Sequence, residues 1–122
     1  MSVPEGTLTD AWREQVLDFY GRCFGWHELA ELRLPDRLTI GVGASYINVR
    51  ERSDAPAYNG YEHFGVVVAS ADAAREIWAA AKEADVDAEL EPLTEGDDGF
   101  VSFRVRYLLP LTVEVQYFPP RP

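Results

Sequence analysis

The sequence predicts an α+β domain made of two similar modules, each combining one helix with several strands. One observation is a strand followed by a helix in mid-chain, where three consecutive valines precede an alanine-rich stretch within Tyr61–Ala84. A second is a helical pattern of apolar residues over Asp10–Phe24. The third is that three strand candidates follow each helix, so the order of elements repeats along the chain.

The first module covers residues 1–50 and opens with a segment that has few features of a strand. Pro4 has no backbone N–H and Gly6 has no side chain to pack, so we expect an extended arm that can lie along a partner. Thr9 or Asp10 caps the helix, and Gly25 ends it. The strand candidates of this module are Glu28–Leu34, Arg37–Val42 and Ser45–Arg50.

The second module covers residues 61–118 and follows a polar linker, residues 51–60. Its first strand begins near His63, and Ser70 and Asp72 can cap the helix after it. When the modules are aligned, His63 falls opposite Met1, so the first strand of module one is degenerate. The whole chain of 122 residues then forms a single domain. The later strand candidates are Asp87–Glu91, Phe100–Tyr107 and Thr112–Phe118.

The charge and the apolar pattern exclude several classes of partner. The net charge is −10, which disfavours nucleic acid and anionic membranes because phosphate contacts require a basic surface. No apolar run approaches the roughly 20 residues of a membrane helix, and the N-terminus has no secretory pattern. Cys23 is the single cysteine; we expect it on the buried face of a helix, in a cytoplasmic protein.

Three segments resemble one superfamily: Asp18–Trp26 at the end of the first helix, His63–Val67, and Val113–Val115 in the last strand. In this order the segments resemble the vicinal-oxygen-chelate superfamily, which includes glyoxalase I, bleomycin-resistance proteins, fosfomycin-resistance enzymes and extradiol dioxygenases. The resemblance extends over nearly the whole chain, from Asp10 to Phe118. It implies two paired βαβββ modules that form a curved mixed sheet around a cavity.

In the metal enzymes of this superfamily the ligands come from the first and last strands of each module. The resemblance therefore implies that His63 and Glu114 could bind a divalent transition metal. The equivalent positions in module one hold Asn48, a weak ligand, and Met1 or no residue at all. The alternative is a hydrogen-bonded polar pair, with Arg104 neutralising the carboxylate and no cofactor.

The alternation of strand side chains adds further residues to the predicted cavity. Tyr46 shares its strand face with Asn48 and Arg50, whereas His27 has no evident reason to reach the cavity. The predicted ligand-binding residues are Thr39, Tyr46, Asn48, Arg50, His63, Ser102, Arg104 and Glu114.

Three functions remain open on these observations. We expect a metal-free small-molecule binding protein of the bleomycin-resistance type, in which a homodimer holds a partly aromatic, natural-product-like ligand and so sequesters an antibiotic. The N-terminal arm could be exchanged between the protomers. The alternative is a metal-dependent lyase, isomerase or dioxygenase that uses His63 and Glu114, or a metal-free acid–base variant of it. The third is an interaction module whose cavity is filled by its own side chains.

Overall fold

A computed structural model describes residues 1–121, which fall into two compact units. The first is Met1–Asn59 and the second begins at Gly60. None of the helices in this described part is long and apolar enough to cross a bilayer. The elements are β1 (Ser2–Pro4), α1 (Asp10–Phe24), β2 (His27–Glu28), β3 (Arg37–Val42), β4 (Ser45–Arg52), β5 (His63–Val67), α2 (Ala71–Glu83), β6 (Glu89–Leu90), β7 (Thr94–Glu95), β8 (Val101–Arg106) and β9 (Thr112–Tyr117).

Both units have the predicted βαβββ architecture, with one mixed sheet in each. The strand order is β1-β4-β3-β2 in the first unit and β5-β9-β8-β6 in the second, where β7 also pairs with β8. In each sheet the first strand lies parallel to the last, and the remaining neighbours are antiparallel. The repeat in the sequence therefore corresponds to the same strand topology in the two units.

Helix α1 has the predicted bounds because local signals fix both of its ends. The Thr9 hydroxyl accepts a hydrogen bond from the Trp12 backbone N–H at 3.2 Å. Gly25 has a left-handed φ of 74°, and its N–H donates to the Gly21 carbonyl at 2.9 Å. The buried apolar side chains of this helix are Val16, Phe19, Tyr20 and Cys23.

The first strand of the first unit is present but only three residues long, as a degenerate strand predicts, and the segment expected to be an extended arm pairs with β4 of its own unit. Ser2 pairs with Arg50 in β4, and the Arg50 N–H donates to the Met1 carbonyl at 3.0 Å. Val3 is buried, which anchors the strand. Pro4 is the last strand residue, where the N–H that it lacks costs little pairing.

The predicted strand Glu28–Leu34 was also wrong beyond its first residues. After β2 the Leu29 N–H still donates to the Thr39 carbonyl at 2.9 Å, but the chain then forms a short 3₁₀ turn over Ala30–Leu32. Elsewhere the strands lie where they were predicted and differ at their ends. β4 continues to Arg52, inside the predicted linker, and β7 was not predicted.

A buried arginine joins α1 to the loop before β3. The side chain of Arg13 is 3% exposed and donates to four backbone carbonyls. One of them is Leu34, at 2.7 Å from Nη2. Near the start of α2, Arg75 instead reaches the segment before β8, through Glu95 at 2.6 Å. The two arginines therefore connect equivalent elements, one inside its unit and the other at the surface.

Candidate functional site

The three longest strands of the second unit separate a buried face from an open one. The apolar residues of β8 and β9 that face α2 are at most 3% exposed: Val101, Phe103, Val105, Val113 and Val115. On the opposite face of β5, His63, Gly65 and Val67 are exposed, as alternation predicts. Because Arg104 pairs with Glu114, and Glu114 with Gly65, the polar side chains share this open face.

Glu114 is the centre of a polar cluster on the open face. Its Oε2 lies 3.1 Å from Nε2 of His63 and 3.2 Å from Nη2 of Arg104. Its Oε1 accepts a hydrogen bond from Nε2 of Gln116 at 3.0 Å. The side chains of His63 and Arg104 are 39% and 34% exposed, so a ligand on this face can reach the cluster.

The contacts of His63 limit the hydrogen bonds that this imidazole can form with Glu114. Nδ1 of His63 lies 2.9 Å from the Tyr61 carbonyl, which can only accept, so Nδ1 carries a hydrogen. In a neutral ring the lone pair of Nε2 would then face a carboxylate oxygen, which is also an acceptor. A hydrogen bond between Nε2 and Oε2 of Glu114 therefore needs one hydrogen between the two side chains, while Arg104 donates to the same oxygen.

These residues do not fit a catalytic transition-metal centre. His63 is oriented suitably, because Nδ1 bound to a carbonyl leaves Nε2 directed away from the backbone. However, Arg104 already contacts the carboxylate oxygen that a metal would use. Catalytic zinc sites have three protein ligands, and within residues 1–121 no group of three or more His, Cys, Asp or Glu side chains could hold a metal ion.

A cavity of about 290 Å³ borders the cluster within the second unit, on the side of β6. Arg104 and Arg106 line it together with Glu89, Glu91 and Thr112. Arg106 binds Glu89 through two hydrogen bonds of 3.1 and 2.7 Å, and this bonding lowers the pKa of the Glu89 carboxyl. Charges of both signs therefore line this cavity.

The predicted residue Ser102 shares the open face but lies outside the cluster. It pairs with Gln116 in the β8–β9 register and is half-buried. The structure thus brings together three of the four residues predicted in this unit: His63, Arg104 and Glu114.

The other four predicted residues lie on one face of the sheet of the first unit. Thr39 and Asn48 pair across β3 and β4, and the buried Thr39 hydroxyl donates to Oδ1 of Asn48 at 2.7 Å. This bond uses the only side-chain oxygen of Asn48, which makes it a still weaker metal ligand. On the same strand face Tyr46 is 61% exposed, and Arg50 is exposed as well.

His27, which had no evident reason in the sequence to reach the cavity, lies on this same strand face. It pairs with Gly41 in β3, which pairs in turn with Tyr46, so the three residues form one row across the sheet. The imidazole lies over Gly41: a Cβ built there would be 3.3 Å from Cε1 and Nε2. Trp26 was the signal in the sequence for this placement. Its side chain is buried, and because successive strand residues face opposite sides of a sheet, His27 faces the open side.

Comparison with known proteins identifies the fold. No family model and no curated protein matches the sequence. A solved structure of a glyoxalase/bleomycin resistance protein/dioxygenase family enzyme from Burkholderia phytofirmans PsJN is 14% identical and superimposes with a TM-score of 0.70, covering 96% of this chain and 93% of that one. TioX from Micromonospora sp. ML1 is 20% identical, with a TM-score of 0.60 and coverage of 99% and 95%.

A third similar structure is the genomically encoded fosfomycin resistance protein FosX from Listeria monocytogenes. It is 14% identical to this chain, with a TM-score of 0.68 and coverage of 98% and 89%. Because identities this low report the backbone arrangement alone, these comparisons describe the fold and leave the ligand open. The chain shares its fold with these structures, one of which is described as a glyoxalase/bleomycin resistance protein/dioxygenase family enzyme.

Proposed function

We propose that this chain, which has the fold of the glyoxalase/bleomycin-resistance/dioxygenase proteins, is a small-molecule binding protein that works without a metal. It holds an organic, partly aromatic ligand in a cleft of a homodimer. Sequestration of an antibiotic is the role that we favour for this binding. The fosfomycin resistance protein among the similar structures supports including antibiotics among the first ligands tested.

The contact between Arg104 and Glu114 carries this proposal. The carboxylate that would bind a metal already contacts the Arg104 guanidinium at 3.2 Å and the His63 imidazole at 3.1 Å. A cation added at this point would have to displace Arg104, which has a fixed charge, or be repelled by it. The open polar face instead offers hydrogen bonds to an organic molecule, and it argues against a cavity filled by the protein itself.

Native mass spectrometry of protein purified without chelator or affinity tag tests the proposal, together with elemental analysis of the same sample. We expect a dimer without stoichiometric transition metal, carrying a co-purified organic mass or binding one from a panel of antibiotics. One tightly held metal ion per chain together with turnover would overturn the proposal and restore the metal-dependent lyase, isomerase or dioxygenase. A protein that binds no member of the panel and carries no organic mass would favour an interaction module.

The 3.1 Å contact between His63 and Glu114 favours one second candidate, a metal-free enzyme that transfers a proton to or from its ligand. Nε2 of His63 would exchange the proton with the ligand, and Glu114 would orient the imidazole. The variants His63→Gln and Glu114→Gln test this candidate by NMR, through deuterium exchange at carbon atoms of the bound ligand. Exchange in the wild-type protein that both variants lose would support it, and exchange that both variants retain would exclude it.

A further inference from the structure

A second strand face with polar side chains, to which the proposed function assigns no role, lies along β4 in the first unit. Tyr46, Asn48 and Arg50 alternate on one side of this strand, about 7 Å apart at successive positions. Their partners in β3 are Gly41, Thr39 and Arg37. We call this set of six residues the donor strip, because the groups that it leaves available are hydrogen-bond donors.

Two donor groups of the strip have no acceptor among residues 1–121, and an exposed phenol lies on the same strand face. Oδ1 of Asn48 is occupied by the Thr39 hydroxyl at 2.7 Å, which leaves the Nδ2 hydrogens available. Among residues 1–121 no acceptor contacts this Nδ2, and none contacts the Arg50 guanidinium. Tyr46 is 61% exposed and adds a phenol at the other end of the strip.

The charge of the donor strip is positive although the protein is strongly acidic. Arg37 and Arg50 are directly opposite in the β3–β4 register, and like charges in this position destabilise a sheet. Arg37 relieves part of this repulsion by donating to the Leu32 carbonyl at 3.0 and 2.7 Å, but a carbonyl carries no charge. By register, no Asp or Glu of the strands in this described sheet lies on the same face. An anion is therefore the missing partner.

Two aromatic side chains, His27 and Tyr46, lie at one end of the donor strip. The imidazole of His27 rests over Gly41, where a Cβ would lie only 3.3 Å from the ring, and Tyr46 is the neighbour of Gly41 on the other side. Both side chains are exposed, so two flat rings border the row. A planar ring can pack against them while its acidic substituent points along β4.

We infer that the donor strip binds an aromatic carboxylate. The ligand ring packs on Tyr46 and His27, while its carboxylate accepts hydrogen bonds from Asn48 and a charge-assisted fork from Arg50. This inference rests on the proposed binding function and names the ligand class of that function. It also assigns His27 a place in the binding site.

The matched pair of probes is 2-naphthoate and 2-naphthamide, which have the same ring system and differ in charge. Isothermal titration calorimetry of the full chain gives the affinities, and ¹⁵N chemical shifts locate the bound probe. We expect naphthoate to bind about tenfold more tightly than naphthamide, because hydrogen bonds to charged partners are stronger. The shifts should be concentrated in β3 and β4.

Three variants identify the groups responsible. Arg50→Gln should remove the preference for naphthoate, and Tyr46→Leu should weaken the binding of both probes. The control is Arg52→Gln: Arg52 is exposed on the same strand face, but it is already paired with Asp54 through contacts of 3.0 Å and holds the pKa of that carboxyl down. The control should retain the preference of the wild-type protein.

Several outcomes would overturn the inference. Equal affinity for the two probes would exclude a charged contact. Loss of the preference for naphthoate in both Arg50→Gln and Arg52→Gln would show that the preference comes from general electrostatic attraction and not from a contact with Arg50. Binding of neither probe would also exclude the inference. If Arg104→Gln rather than Arg50→Gln removed the preference, the carboxylate would belong to the second unit. A bound metal together with turnover would refute the proposed function. If the preference for naphthoate persisted in that case, the inference about the donor strip would still hold.

Discussion

At the residue scale, the two units differ most clearly at one equivalent pair of positions, Glu114 and Asn48. Glu114 gathers an imidazole, a guanidinium and an amide around one carboxylate. Asn48 has no charge; its side-chain oxygen accepts from the Thr39 hydroxyl, and its side-chain N–H groups have no acceptor among residues 1–121. The same strand position therefore forms a charge cluster in one unit and a donor surface in the other.

The first prediction concerns the substitution Glu114→Gln. We expect it to lower the free energy of unfolding by about 1–2 kcal/mol, because a neutral amide cannot balance Arg104 and His63. Urea denaturation at pH 7 measures the change. The control Glu76→Gln alters an exposed position of α2 and should leave the denaturation midpoint unchanged. An equal loss in both variants would show that the cluster adds nothing to stability.

The second prediction concerns Cys23, which is 7% exposed on the inner side of α1. Burial raises the pKa of its thiol to about 11, against an ordinary value of 9.0. We expect the native thiol to resist a disulfide reagent at pH 8 and to react once the protein is unfolded in urea. Rapid labelling of the native protein would contradict the buried position.

The same shift in pKa has a consequence for stability at alkaline pH. An unfolded thiol ionises near pH 9, whereas the native thiol keeps its proton to about pH 11. The stabilising contribution is therefore complete below pH 9 and is lost as the pH rises to 11. Urea denaturation should show a smaller decline over this range in Cys23→Ala than in the wild-type protein.

At the element scale, each helix of the repeat is fixed by its own cap and by one arginine. The Ser70 hydroxyl accepts from the Ala73 N–H at 3.0 Å, as the Thr9 hydroxyl does in α1. The arginines near the starts of the two helices then differ, because Arg13 is buried among carbonyls and Arg75 bridges two exposed carboxylates. Both units therefore have an arginine that connects the helix to a later segment, but only the contacts of Arg13 are buried and expected to add much stability.

The third prediction compares these arginines. We expect Arg13→Lys to lower the free energy of unfolding by about 2–3 kcal/mol, because one ammonium cannot satisfy the four carbonyls that the guanidinium reaches. Arg75→Lys should leave the urea midpoint unchanged, since its partners are solvated. Similar midpoints for the two variants would show that the buried contacts of Arg13 are weak.

At the scale of the whole molecule, the order β1-β4-β3-β2 repeats as β5-β9-β8-β6, and this shared topology makes the chain similar to the solved structures. The proposed homodimer adds a question about β1. Exchange of this strand between protomers would preserve its register, because domain swapping replaces an element with an identical one. The structure pairs β1 with β4 of the same chain.

The fourth prediction uses a disulfide to follow β1. Pro4 and Arg52 are register partners on neighbouring strands, at a separation that suits a disulfide. In a Cys23→Ala background, the double variant Pro4→Cys/Arg52→Cys should oxidise to a product of monomer size on a denaturing gel. A covalent dimer that neither single-cysteine variant forms would show that β1 is exchanged. Sedimentation of the wild-type protein, expected as a dimer, gives the oligomeric state separately.

The sequence by itself determined the two helices, most of the strands and the faces of β4, β5, β8 and β9. These features depend on capping residues and on periodicity within a few positions, and both signals are local. The contact of Glu114 with His63 and Arg104 followed from alternation once the superfamily resemblance had placed the strands side by side.

The tertiary structure alone decided which distant segments pair. The pairing of β1 with β4 depends on a partner almost fifty residues away, which no local pattern around Pro4 contains. The position of His27 depends on Gly41, and the burial of Arg13 depends on carbonyls in a loop that the sequence predicted to be a strand. Backbone carbonyls are identical at every residue, so a sequence cannot show which of them a buried side chain will bind.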